Sequence, residues 1–269
     1  MKMKRKRILK CVLLAILTVL LIAGGGACWL FFGSHTTNPH NYSKVGDIPT
    51  PYGYQRISGD NAAYSNYLRS IPLKGKGAES MLYTGEKTKF QKLSYAIIDL
   101  PLLSNAEQCA DACMRMRAEY LFQAGRYGDI HFKDVNGHVM RYTGGSSRKA
   151  FERYLRRVYG LASTFSLSRE LPRRELKDMQ PGDIFVYAAI DRPENRPSGH
   201  AVMVVDVAQN PKTGRKAFLL AEGNTPARDF HIMNNLGSPF RSPWFTLDEG
   251  NDDLGVSLFM FKKDELRHF

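Results

Sequence analysis

Metal-ligand spacing is missing from this chain: its seven His are scattered, and neither Cys-x-x-Cys nor His-Glu-x-x-His occurs. A phosphate-binding glycine loop and a Gly-x-Ser-x-Gly elbow are missing too, so no metal and no cofactor is expected from the sequence. Cysteine is scarce, with 4 in the chain, which excludes a disulfide scaffold. Cys11 and Cys28 fall in an apolar N-terminal run, leaving Cys109 and Cys113 for the rest of the chain. Their spacing of four places both on one helix face, a poor arrangement for a structural bridge.

Acidic residues are absent from the first 32 positions, and half of the net charge of +12 sits on Lys2, Lys4, Arg5, Lys6, Arg7 and Lys10. Beyond that flank there is neither a basic stripe with interleaved aromatics nor a recognised module, so no nucleic-acid partner is expected. Arg148, Lys149, Arg153, Arg156 and Arg157 cluster on a predicted helix and read as a solvated face, with an anionic surface as the other reading.

Residues 1–10 form the basic flank, and Cys11–Phe32 is an uncharged run long enough to cross a hydrocarbon core of ~30 Å. This predicts one N-terminal transmembrane helix in the cell membrane, with the N-terminus in the cytoplasm and the C-terminal domain outside. Ala23-Gly24-Gly25-Gly26-Ala27 also offers small residues for signal cleavage, and either route exports the domain. Residues 33–54 are rich in Gly, Pro, Ser, Thr and Asn and predict a tether; residues 55–269 read as one globular domain.

Within that domain Tyr95–Leu100 predicts a buried strand, followed by a helix capped at Ser104 or Asn105 and ending near Gly125. Asp129–Asp134 and His138–Tyr142 flank Asn136-Gly137, a hairpin signal, and Lys149–Tyr159 predicts a second helix. Strands are expected at Asp183–Ala188, His200–Ala208, Lys216–Glu222 and Val256–Phe261. Helices first and antiparallel strands later imply an α+β fold.

One constellation could carry chemistry. Cys109 lies near a helix start, where backbone N–H groups favour a thiolate. Far downstream, Ser198-Gly199 delivers His200 as the first residue of a strand, and the next strand ends in Glu222-Gly223-Asn224. A thiol needs an imidazole to take its proton, and the imidazole needs a third group to hold its tautomer. Cys109 and His200 fit the first two roles; Glu222 or Asn224 fits the third, Glu222 with the added ability to stabilise an imidazolium. Gln108 or Asn105, with the Cys109 N–H, could form an oxyanion hole.

A helical Cys, a Pro-Gly-Asp strand start (PGDIFVY), a Gly-His opening an apolar strand (GHAVMVVDV) and a polar strand end resemble the NlpC-type cell-wall peptidases and the CHAP amidases. That resemblance implies a papain-like fold with Cys109 as nucleophile, His200 as base and a polar orienting residue. At finer scale YGYQRI, QCADACMRMRAEYL, GDIFVY, GHAVMVVDVA, FLLAEGNTPA and SPW look like the uncharacterised family of unknown function numbered 4846. Two functions therefore stay open: a membrane-anchored, outward-facing cysteine hydrolase with cell-wall peptide as substrate, or a non-catalytic exported binding or envelope-organising domain on the same frame. Approach of Cys109 to His200 in an open cleft would favour the enzyme.

Overall fold

The computed structural model describes residues 35–192, 198–237, 243–247, 253–256 and 258–269, together with Val12, Ile16, Thr18 and Val19. Met1–His35 and Thr36–Phe269 are separate units, and the second contains all of the elements below. Its described helices are α1 (Ala62–Ser70), α2 (Cys109–Gln123), α3 (Arg148–Leu161) and α4 (Thr164–Glu170). Its described strands are β1 (Gln55–Arg56), β2 (Ser94–Ile97), β3 (His131–Lys133), β4 (Val139–Arg141), β5 (Ile184–Tyr187) and β6 (His200–Gln209). They continue with β7 (Lys216–Glu222), β8 (His231–Met233), β9 (Phe245–Thr246), β10 (Asp253–Val256), β11 (Phe259–Lys262) and β12 (Leu266–Arg267).

The main sheet runs β12-β5-β6-β7-β8-β2, with β1 on β6 and β9 on β7, and every pair is antiparallel. The strands β6 and β7 are buried on both faces, which is why they read as nearly continuous apolar runs. Alternate residues serve two cores. Ala201, Met203, Leu219 and Ala221 face the core shared with Cys113 and Met116 of α2, whereas Val202, Val204, Phe218 and Leu220 face a second core with Phe261 and Leu266. The α+β class with an antiparallel sheet is thus what the structure contains.

The fold corrects several expectations. Among the described residues no helix is long and apolar enough to cross a membrane, so the expected N-terminal transmembrane helix is not supported. Most of Cys11–Phe32 lies outside the described residues. The polar segment read as a tether joins the domain, since Asn38, Val45 and Ile48 are buried and the Asn38 amide donates to the carbonyls of Tyr42 (2.8 Å) and Lys74 (2.9 Å). The expected last strand is instead a hairpin, β10 against β11, with β12 closing the sheet beside β5. On α3, Arg148 pairs with Glu119 and Glu152, and Arg156 with Glu152, while Lys149, Arg153 and Arg157 face solvent.

Trp244 is a packing anchor. It is buried, and its Nε1–H donates to the Pro49 carbonyl at 2.8 Å, fastening the former tether to the sheet. Trp244→Phe should keep the fold by circular dichroism but cost about 1–3 kcal/mol in urea unfolding, because the smaller ring leaves a gap where the buried indole packed and the hydrogen bond to Pro49 is lost.

Candidate active site

The helix α2 begins at Cys109, not at Ser104 or Asn105. Ser104 caps only a turn, its hydroxyl accepting from the Ala106 N–H at 3.2 Å, and Asn105 and Ala106 are exposed ahead of the helix. The Glu107 side chain folds inward, where Oε2 accepts the Leu103 N–H at 2.8 Å and Oε1 takes Arg115 at 2.7 Å. The main chain therefore turns helical only after Gln108, whose N–H is held by Asp111 Oδ2 at 3.0 Å. Burial pushes the Asp111 carboxyl up to about 7, against the pull of that hydrogen bond. Cys109 is thereby the first helical residue, with its own N–H among those left without an intrahelical acceptor.

Two glycines bring the strands to it. An ideal Cβ on Gly223 would stand 3.1 Å from the Gln108 carbonyl oxygen, so the end of β7 can pass closely against the start of α2. An ideal Cβ on Gly199 would stand 2.5 Å from the Tyr187 carbonyl oxygen; only glycine lets the chain enter β6 beside β5 and deliver His200.

Cys109, His200 and Glu222 come together there. The Cys109 thiol lies beside the His200 ring, close enough to act on its protonation, and His200 Nε2 lies 2.9 Å from Glu222 Oε2. With Nε2 taken, Nδ1 is the nitrogen left to serve the thiol. Burial alone would push the His200 pKa down, but the hydrogen bonds and charges of Cys109 and Glu222 outweigh it and raise it to about 9. Cys113, one turn along α2 and fully buried, has its thiol pushed up by burial and by its neighbours Cys109 and Asp111.

Asn224 takes another part. It is half-buried, and its Oδ1 accepts the N–H of Thr225 at 2.8 Å, so the polar strand end divides and Glu222 alone turns in to His200. Gln108 Oε1 accepts the Thr225 hydroxyl at 2.8 Å. Among the described residues no group of three or more His, Cys, Asp or Glu could hold a metal ion.

The site is covered, in contrast to the open cleft expected. Cys109 is 7 % exposed, His200 1 % and Glu222 0 %. Phe259 of β11 stacks on the His200 ring with centroids 3.6 Å apart and planes at 12°. His231, which the sequence pattern did not single out, is the cross-strand partner of Glu222, with Nε2 3.5 Å from Glu222 Oε1. The signal was the short strand after Asp229, whose register only the sheet reveals.

Fold and side chains together define an α+β domain in which a cysteine at a helix start lies buried beside a strand-borne histidine that is hydrogen-bonded to a strand-end glutamate. The chain belongs to the family described as Domain of unknown function (4846), whose model matches residues 46–145 and 140–268. No curated protein and no solved structure matches it.

Proposed function

We propose that this domain is a cysteine hydrolase of the papain-like kind, a peptidase or amidase in which Cys109 is the nucleophile, His200 the base and Glu222 the residue that orients it. The observation that carries the reading is that Cys109, the first residue of α2, lies beside the His200 ring while His200 Nε2 is 2.9 Å from Glu222 Oε2. In the reaction His200 accepts the thiol proton and the sulfur attacks the amide carbonyl carbon. The Cys109 N–H, with the Gln108 amide, would receive the developing oxyanion. The C–N bond then breaks as His200 returns its proton to the leaving amine, and water attacks the thioester with His200 again as base, releasing the acid and the free thiol. The resemblance to NlpC-type and CHAP enzymes favours cell-wall peptide as substrate, and the basic flank ahead of the apolar run supports export to reach it.

The cover over the pair favours a second reading, a binding module that keeps the frame without turnover. Reactivity separates the two. In the purified protein treated with iodoacetamide near neutral pH, peptide mapping should find Cys109 alkylated far faster than Cys113, because one thiol has a base and the other is pushed towards the neutral form. Equal, slow alkylation of both would favour the binding module.

A further inference from the structure

Glu222 uses only one of its two oxygens on His200. Its Oε1 is buried without a hydrogen-bond partner, and so is Nε2 of His231. The two orphans face each other across the β7–β8 pair at 3.5 Å, and both residues are 0 % exposed. A buried carboxylate oxygen without a donor is costly, and an imidazole N–H opposite it removes that cost after an approach of a few tenths of an ångström.

We infer that His231 is a positioning residue of this site, donating its Nε2–H to Glu222 Oε1 and so fixing the carboxylate that holds His200. This assigns the site a four-membered relay, Cys109–His200–Glu222–His231, and for its purpose it rests on the hydrolase reading. The competing arrangement puts the ring proton on Nδ1, which lies 3.3 Å from the Asp229 carbonyl oxygen. Burial and the Arg228 guanidinium push the His231 pKa well down, so the ring is neutral and has one proton to place. A charged acceptor gains more from a donor than a neutral carbonyl does, which favours Nε2–H.

The groups around His231 agree with this assignment. Glu222 faces it from β7 and His200 from β6, with Cys109 and Cys113 near Glu222 and His200 from α2. From the segment leading into β8 come Arg228 and Asp229, the latter paired with Lys74 at 3.1 Å. Arg228 hydrogen-bonds the hydroxyls of Ser80 and Ser94, and Glu222 and Asp229 are the acids that favour its charge. A second cation on His231 would stand against Arg228, whereas a neutral donor satisfies Glu222 and adds no charge.

The test is ring nitrogen NMR on the full chain carrying Cys109→Ala, in which no nucleophile remains. His231 should show the Nε2–H tautomer. Adding His231→Phe should lower the titration midpoint of His200 by about one pH unit, the equivalent of roughly a tenfold change in proton affinity. His231→Gln, which keeps an N–H, should restore the midpoint. An Nδ1–H tautomer in the unsubstituted ring, or a His200 midpoint unmoved by His231→Phe, would overturn the inference. Because neither readout uses the thiol, a Cys109 that fails to alkylate would sink the hydrolase reading and leave the role of His231 standing.

Discussion

His200→Gln should slow alkylation of Cys109 at neutral pH, and any amide hydrolysis, by about two to four orders of magnitude, the range for losing a positioned general base. Glutamine is the informative replacement. The ring of His200 is stacked on Phe259 and bonded to Glu222 in a buried place, so His200→Ala would strand a carboxylate and open a cavity. An amide at position 200 keeps a donor for Glu222 while removing the basic nitrogen. Glu222→Gln should do less damage to the rate, since an amide still holds the ring although it cannot stabilise the imidazolium. The pH dependence of stability provides a second check. The folded pKa of His200 is raised from 6.5 to about 9, so the stability it lends is complete below about 6.5 and is lost as pH rises through about 9. In His200→Gln that decline should flatten, which urea unfolding between neutral and alkaline pH would measure. An unchanged alkylation rate in a folded His200→Gln protein would remove His200 from the chemistry.

The parts of the site visible in sequence are those with a local cause. Gly199-His200 opens an apolar run, Glu222 ends another, and Cys109 precedes a long helical pattern, so their order alone suggested a meeting. What stayed hidden depends on register or on charge placed where charges are rare. His231 sits in a strand of three residues whose value lies in being opposite Glu222. The start of α2 was misread because Ser104 and Asn105 are good caps, while the actual cause, Glu107 turned inward to a buried arginine, runs against the rule that charged side chains face water. Residues 33–54 misled for the opposite reason: their composition is polar, but Asn38 finds backbone partners for its amide and Val45 and Ile48 reach the core.

That buried arginine is where the largest loss of stability is expected. Arg115 is 2 % exposed and lies within α2, with Nη1 2.7 Å from Glu107 and Nε 3.4 Å from Glu119, and it also donates to the Pro101 carbonyl at 2.9 Å. Glu119 has Arg148 of α3 as a second partner at 2.6 Å, but Glu107 depends on Arg115 for charge and keeps only the Leu103 N–H without it. Arg115→Leu should therefore cost about 3–5 kcal/mol, the scale for leaving one member of a buried pair uncompensated, out of the roughly 5–15 kcal/mol typical of a folded domain. Burial already raises the Glu107 pKa above 4.5 despite Arg115, and removing the arginine raises it further. A carboxyl raised in the folded state holds a proton that the unfolded chain releases, so the deficit should be smallest below pH 4.5 and grow as pH rises. Urea unfolding of Arg115→Leu at acid and at neutral pH would show that slope, and adding Glu107→Gln should recover much of the loss at neutral pH. Glu107 shapes the turn that starts α2 two residues before Cys109, so the same variant should also slow alkylation of Cys109, linking the charge buried under the helix to the thiol at its tip.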